Sequence, residues 1–280
     1  AGTCNLTLTT VGARTLIATY AGDANFTTSN DTEAHQVNQG DTTTTITSDL
    51  PDPSVVGQSV TVNYTVAVNA PGAGTPTGNV TISDGVNSCV GTVAAGTCNI
   101  TLTTAGARTL TATYTGDTNF ATSTSAGISH QVDQASTTTT ITSDAPDASV
   151  VGQSVTVNYT VVVNAPGAGT PTGNVTVTDG VDSCVGTVAA GTCNITLTTA
   201  GARTLTATYA GDTNFTTSND TEAHQVDQAA TTTTITSDTP DPSVIGETIT
   251  VNFTVVATAP GSGTPTGNVT VTDGVDSCIG

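Results

Sequence analysis

Six cysteines are the residues of this chain best suited to chemistry, since thiols can form disulfides, bind metals or act as nucleophiles. Cys89 and Cys98 lie in the segment Ser-Cys-Val-Gly-Thr-Val-Ala-Ala-Gly-Thr-Cys-Asn, and the same segment recurs around Cys184 and Cys193. The other two cysteines occupy separate halves of that segment, at positions 4 and 278. The repeated arrangement predicts that the two thiols of each interior segment act as a pair.

A disulfide is the chemistry that this spacing favours. If the chain turns at Val93 and Ala94, Cys89 and Cys98 face each other on the two strands of a hairpin. Opposed residues at a non-hydrogen-bonded site have Cα atoms roughly 4.5 Å apart, which is within the range of disulfides. In the chain-entropy model, closing a loop of about ten residues stabilises a domain by roughly 2.5 to 3 kcal/mol. We therefore predict a local disulfide in each hairpin.

Two other states of the thiols stay open. The cysteines could remain as free buried thiols, or they could bind a metal, although a structural zinc site needs four ligands and no histidine lies near either pair. Disulfides would place the protein in an oxidising compartment outside the cytosol. We therefore expect an extracellular or cell-surface location.

The spacing of the cysteines also reveals an internal repeat. Cys4, Cys98 and Cys193 are 94 and 95 residues apart, so the chain consists of repeats of about that length. We predict two complete repeats, 42–136 and 137–230, between the second half of one repeat (1–41) and the first half of another (231–280). A half-repeat cannot bury a core alone, so we expect a neighbouring unit to complete it. That neighbour is supplied either by a continuous chain or by end-to-end self-association, in which Cys278 of one unit bonds to Cys4 of the next.

The charge of the chain excludes several partners. Three arginines and no lysines oppose 22 acidic residues, for a net charge of −19. Such a surface repels the phosphates of nucleic acids and anionic lipids. No apolar run approaches 18 residues, so we expect no membrane insertion within this chain.

Alternating side chains predict β-strands throughout. From Ser59 to Val68 every second residue is apolar, which is typical of a strand with one buried face. Pro51 and Pro53 interrupt the strand before it and indicate an edge strand that kinks. Short strands with turns every 8 to 12 residues and no helical period predict an all-β fold, with antiparallel β-sandwiches in an elongated tandem array.

Two sequence motifs resemble those of the bacterial Ig-like repeat family. One is Gly-Thr-Pro-Thr-Gly-Asn-Val-Thr at 74–81, 169–176 and 263–270, and the other is Ala-Thr-Tyr-x-Gly-Asp-x-Asn-Phe at 18–26, 112–120 and 207–215. The resemblance implies immunoglobulin-like modules of prokaryotic surface and secreted proteins, often adhesins or stalks, without enzymatic activity. Paired cysteines are not a regular feature of that family, and their spacing differs from the inter-sheet disulfide of antibody domains.

Catalytic residues are not predicted. His35, His130 and His224 recur once per repeat, and we expect them at solvated or interface positions. No serine nucleophile motif or phosphate-binding loop is recognisable. Three copies of one residue set suit architecture better than a single active site.

Carboxylates and asparagines give weaker signals. Asp49 and Asp52, with their counterparts Asp144 and Asp147, are candidate calcium ligands near the kinked strand, although turn formation is the commoner role of such residues. No other cofactor is expected. Asn-x-Thr sequons are candidates for glycosylation at Asn63, Asn79, Asn99, Asn158, Asn174 and Asn194, and the first three fall on the outward phase of their predicted strands.

Our functional hypothesis is a mechanical one: disulfide-stapled Ig-like repeats that form a stalk, fibre or filament outside the cell. The alternative is an adhesin or surface module whose loops bind a glycan or a host-surface protein. Aromatic residues make up only 3% of the chain, which weakens the alternative because glycan binding often uses aromatic platforms.

Overall fold

The computed structural model describes residues 2–280, which form short β-strands joined by turns, with no helix. None of these residues forms a helix suited to crossing a membrane. In chain order the strands are β1 (Gly12–Tyr20), β2 (Ser29–Val37), β3 (Thr42–Leu50), β4 (Ser54–Val55), β5 (Ser59–Val68), β6 (Asn79–Ser83), β7 (Ser88–Thr92), β8 (Thr97–Thr101), β9 (Gly106–Tyr114), β10 (Ser123–Thr124), β11 (Ile128–Asp133), β12 (Thr137–Ala145), β13 (Ser149–Val150), β14 (Ser154–Val163), β15 (Asn174–Thr178), β16 (Ser183–Thr187), β17 (Thr192–Thr196), β18 (Gly201–Tyr209), β19 (Ser218–Asp227), β20 (Thr231–Thr239), β21 (Thr250–Ala257), β22 (Thr270–Thr272) and β23 (Ser277–Ile279).

The first complete repeat is a sandwich of two sheets. One sheet has the strand order β3-β5-β8, and the other has the order β4-β11-β9-β6-β7, with β10 paired to β9. Neighbouring strands are antiparallel except for β4, which runs parallel to β11. This arrangement confirms the predicted all-β, Ig-like fold.

The second complete repeat has the same topology. Its sheets have the orders β12-β14-β17 and β13-β19-β18-β15-β16. The long strand β19 takes the place of both β10 and β11 in the first repeat. By its contacts the chain divides into two compact units, one running to Ala135 together with 165–169, and the other beginning at Ser136.

The core lies between the sheets and follows the alternation of the strands. On β5, Val60, Val62 and Tyr64 are buried, and on β9 the side chains of Leu110 and Tyr114 are fully buried. Burying an aliphatic or aromatic side chain of this size contributes roughly 1.5 to 3 kcal/mol. Both tyrosines therefore point into the core.

Threonine also enters the core. Thr42 and Thr44 on β3 are buried, and their hydroxyls each lie 2.7 Å from Ser123 Oγ on β10. A buried hydroxyl is costly unless it is hydrogen-bonded. The shared contact therefore allows the polar strand β3 to face the other sheet.

The prolines move the chain from one sheet to the other. Strand β3 pairs with β5 up to Leu50, and after Pro51 and Pro53 the short strand β4 pairs with β11 in the opposite sheet. Proline cannot donate a backbone hydrogen bond, so the first ladder ends where these residues begin. The crossing brings Asp49 and Ser54 close to β11.

The segments outside the complete repeats keep their strands but leave the corresponding faces exposed. Strand β1 pairs with β2, β20 with β21, and β22 with β23. Phe26 is 67% exposed, whereas its repeat counterpart Phe120 is 7% exposed. Tyr20 and Tyr114, at 44% and 0%, show the same contrast. These segments therefore carry core-type residues that are not covered as they are in the complete repeats.

This contrast predicts different costs for one substitution at two equivalent positions. Phe120→Ala should lower the free energy of unfolding of its repeat by about 3 to 5 kcal/mol, because it empties a buried site. Phe26→Ala should cost well under about 1 kcal/mol. Guanidinium unfolding of the full chain, followed by circular dichroism, measures both. Equal effects of the two substitutions would contradict the described core.

Candidate functional site

A polar cluster lies inside the first sandwich, where β3 gives way to β4. His130 on β11 is fully buried, and its Nδ1 lies 2.7 Å from Asp49 Oδ2. Its Nε2 lies 2.9 Å from the hydroxyl oxygen of Ser54, which is 1% exposed. Asp52 Oδ1 lies 3.6 Å from Nδ1 and accepts a hydrogen bond from the Gln131 backbone N–H at 3.1 Å. The cluster ties the β3–β4 crossing to the final strand.

The second repeat contains the same cluster. His224 on β19 is 2% exposed, and its Nδ1 lies 2.6 Å from Asp144 Oδ2. Its Nε2 lies 2.8 Å from Ser149 Oγ, and Asp147 Oδ1 lies 3.6 Å from Nδ1. Both repeats therefore bring the predicted calcium candidates together, and in both a buried histidine joins them.

The predicted solvated position is wrong for His130 and His224, and only His35 is exposed. A signal was available, because Ile128, His130 and Val132 alternate along one strand and so share its inward phase. The spacing Asp-x-x-Asp-x-Ser, which begins at Asp49 and recurs in each repeat, was a second signal. A buried imidazole needs partners for both nitrogens, and this segment supplies them.

The order Ser54–His130–Asp49 has the hydrogen-bond pattern of a serine-hydrolase triad, but its surroundings favour a structural role. A nucleophilic serine must reach a substrate carbonyl beside donors that stabilise the oxyanion. Here the hydroxyl and the imidazole both lie inside the sandwich. The same bonds instead satisfy polar groups whose burial would otherwise cost about 1 to 3 kcal/mol each.

The structure pairs the interior cysteines, but not through a hairpin. Cys89 is disulfide-bonded to Cys98, with Cα atoms 6.0 Å apart, and Cys184 is bonded to Cys193, with Cα atoms 5.9 Å apart. The predicted hairpin is wrong, because β7 pairs with β6 while β8 pairs with β5 in the other sheet. Each disulfide therefore joins the edge strands of the two sheets, and its cysteines are only nine residues apart in the sequence.

The side chain of Tyr64 explains why β7 and β8 do not form a ladder. Its hydroxyl donates a hydrogen bond to the Thr92 carbonyl at 3.0 Å, at the end of β7. Gly91 lies beside it, and a Cβ atom there would overlap both the Tyr64 hydroxyl and the Thr97 carbonyl. The phenol thus occupies the space between the two strands, and the chain crosses from one sheet to the other.

A second tie connects the two motifs that indicated the family. Asp117 Oδ2 accepts hydrogen bonds from the backbone N–H and the hydroxyl of Thr77, both at 2.8 Å. Its Oδ1 accepts from the backbone N–H groups of Asn119 and Phe120, both at 2.8 Å. Burial alone would raise the pKa of Asp117, but these bonds outweigh it and lower the pKa to about 2.

The sequons fall into two groups. Asn63 and Asn158 are half-buried, and their side-chain amides donate hydrogen bonds to Ser48 and Ser143. A glycan on either amide would have to break that bond, so the outward position predicted for Asn63 is only partly right. The remaining four candidates are exposed on their strands, at Asn79, Asn99, Asn174 and Asn194.

Cys4 and Cys278 are exposed free thiols. Neither forms a disulfide within the described chain, residues 2–280. Their predicted bond between units stays a prediction.

Comparison with known proteins identifies the family. The profile described as "Bacterial Ig-like domain (group 3)" matches residues 42–133 and 141–227. The chain belongs to this family. Its two matches correspond to the two complete sandwiches, and bacterial Ig-like domains of this group therefore account for most of the sequence.

Among solved structures, the bacterial Ig-like chain is similar to the fibronectin(III)-like modules of Clostridium thermocellum CbhA, with 19% identity over 66% of this chain and 94% of that one and a TM-score of 0.28. It is also similar to the Yersinia pseudotuberculosis adhesin InvE, with 15% identity over 70% of this chain and 66% of that one and a TM-score of 0.37. A third similar structure is the Escherichia coli adhesin FdeC, with 19% identity over 76% of this chain and 72% of that one and a TM-score of 0.25. No curated protein matches the sequence.

The position of the disulfide predicts its effect. Replacing Cys89 and Cys98 together by serine should lower the free energy of unfolding of the first complete repeat by roughly 2.5 to 3 kcal/mol, because the unfolded chain regains a loop of about ten residues. Urea unfolding of the full chain measures the loss. The control replaces Cys4 and Cys278 by serine and should leave that transition unchanged. The structure would be contradicted if reduction did not affect the wild-type transition.

The lowered pKa of Asp117 predicts an acid-dependent stability. The folded state holds this carboxylate deprotonated below its ordinary pKa of 3.8, so its contribution is complete above about pH 4 and is lost as the pH falls toward 2. Its counterpart Asp212 also has a lowered pKa, because bonds that include those from Thr172 outweigh the effect of burial. Replacing both aspartates by asparagine should flatten the dependence of the melting temperature on pH between 4 and 2.

Calorimetry of the full chain at pH 2, 3, 4 and 5 compares the variant with wild type. The variant should also melt at a lower temperature at pH 5, because a neutral amide accepts weaker hydrogen bonds than a carboxylate. An unchanged slope below pH 4 would show that other groups control the acid response.

Proposed function

We propose that this chain is a non-enzymatic structural module of an extracellular or cell-surface protein, in which disulfide-stapled Ig-like repeats form a stalk, fibre or filament. The observation that carries the proposal is the inter-sheet disulfide, which each complete repeat has at the same place. Disulfides persist in oxidising compartments and are rare in the reducing cytosol. The repeated bond therefore supports a location outside the cytosol.

The contacts of each repeat suit a mechanical role. The disulfide joins the sheets at one edge, and the cluster around His130 joins the β3–β4 crossing to β11. Asp117 fixes a third point by linking two loops through Thr77. Separating the sheets requires the disulfide and the His130–Asp49 contact to break together with the core, so the repeat resists partial opening.

The environment of the potentially reactive side chains, the serine, histidine and aspartates of each cluster, supports a non-enzymatic role. Their hydrogen-bonding atoms are used inside the fold, and the same set occurs in both complete repeats. A net charge of −19 also disfavours nucleic acids and anionic membranes as partners.

We propose that the partner of this chain is a second, identical unit, which associates with it end to end. The exposed Phe26 and Tyr20 match residues that are buried in the complete repeat. In the segment 231–280, which corresponds to the first half of a repeat, Ile235 is 59% exposed, whereas its counterpart Ile141 in the second complete repeat is 8% exposed. The two faces correspond to the complementary halves of one sandwich, which supports completion by a neighbouring unit, either along a continuous chain or by association of separate chains. Cys278 and Cys4 then occupy the positions of a disulfide pair.

Electron microscopy of the purified chain in oxidised glutathione tests this function. Each inter-unit disulfide would transfer two electrons from the thiols of Cys4 and Cys278 to the glutathione disulfide. We expect regular fibres that shorten when dithiothreitol is added, and a ladder of oligomers on a non-reducing gel. The matched control Cys278→Ser should remove the covalent ladder.

Isolated chains at every concentration, with no ladder, would overturn the end-to-end association. Specific binding of one complete repeat on a glycan array would favour the adhesin alternative over a purely structural role.

A further inference from the structure

We propose that each complete repeat binds a divalent transition-metal ion of the Zn²⁺ or Co²⁺ type through its histidine and two aspartates. The first site consists of Asp49, Asp52 and His130, and the second consists of Asp144, Asp147 and His224. This inference does not depend on the proposed structural function, because it rests on the ligand atoms alone.

The ligand atoms are already close to coordination geometry. In each group, one donor atom from every residue lies within 4.8 Å of the others. Tetrahedral zinc with bonds of about 2.0 to 2.2 Å places its ligand atoms about 3.3 Å apart. The distance of 3.6 Å between His130 Nδ1 and Asp52 Oδ1 is close to that value. The shorter contact with Asp49, at 2.7 Å, needs to widen by about 0.6 Å.

The buried serine gives the histidine the orientation that a ligand needs. Metal-bound imidazoles usually donate their second N–H to an oxygen acceptor, which fixes the tautomer. When Nε2–H of His130 donates to Ser54 Oγ, at 2.9 Å, the lone pair of Nδ1 faces the two carboxylates. Binding therefore moves the single proton of the neutral imidazole from Nδ1, where it is shared with Asp49, to Nε2, so that Nδ1 is free to bind the metal.

The exposure of the ligands provides a path for the ion. The side chain of His130 is 0% exposed, that of Asp49 is 14% exposed and that of Asp52 is 37% exposed, so the site opens toward solvent on the carboxylate side. Water can therefore supply the remaining ligand, as in zinc sites with three protein donors. The negative charge of the chain further attracts a divalent cation.

The histidine also decides the class of metal. Calcium, which the aspartates alone indicated, takes six to eight oxygen ligands. A donor set of one imidazole nitrogen and two carboxylates suits zinc, cobalt or nickel instead. The same set in the second repeat predicts two ions per chain.

Titration with Co²⁺ and Zn²⁺ tests the proposal, using the full chain with Cys4→Ser and Cys278→Ser so that no free thiol competes. Calorimetry should give two ions per chain. Imidazole ¹⁵N spectra should show that the signals of His130 and His224 shift with Zn²⁺ and are broadened by Co²⁺. The exposed His35 is the internal control and should respond less.

Two matched variants locate the site. Asp52→Asn with Asp147→Asn removes one ligand per site at partly exposed positions, and should weaken binding at least tenfold while the circular dichroism spectrum is unchanged. Asp241→Asn alters the equivalent position in the segment 231–280, where the described residues hold no such histidine cluster. This control variant should bind the metal as tightly as wild type. The proposal is overturned if Zn²⁺ fails to bind at millimolar concentration, if the double variant binds as tightly as wild type, or if Ca²⁺ displaces Zn²⁺ at equal concentration.

Discussion

The face-to-face contact of two small sheets is the constraint on which each repeat depends. Aromatic residues make up 3% of the chain, and the core between the sheets is built mostly from valine, isoleucine, leucine and two inward tyrosines. A core of this size leaves a modest margin over the entropy of the unfolded chain. Links between the sheets therefore matter more here than in a larger domain. The disulfide, the histidine cluster and the Asp117 contacts are all such links or brace the loops beside them.

Tyr64 connects the apolar core to the disulfide. Its ring is buried in the sandwich, while its hydroxyl reaches the Thr92 carbonyl at the point where the chain leaves one sheet for the other. The same residue thus fills the core and prevents β7 and β8 from closing as a simple hairpin. The cysteines then lie on opposite edges, where a bond between them holds the sheets together instead of merely stiffening a turn.

The buried histidine cluster has stricter geometric requirements than the apolar core around it. Polar groups removed from water need partners, and an imidazole needs one at each nitrogen. Asp49 and Ser54 supply them because the chain crosses from β3 to β4 beside β11 at this point. The crossing, the cluster and the proposed metal site thus depend on one another. A cluster that holds strands together and also offers metal ligands would couple the stability of the repeat to the ion.

The sequence by itself determined the period of the repeats, the strands with their buried phase, and which cysteines form pairs. These features depend on neighbouring residues or on a regular spacing, so they can be read without knowing the path of the chain. Only the tertiary structure decided that the disulfide joins two sheets and that His130 is buried. His130 meets Ser54 and Asp49 across 76 and 81 residues, and no local pattern shows which distant strands become neighbours. The topology of the sandwich makes that choice, because it sets which edges and crossings face each other.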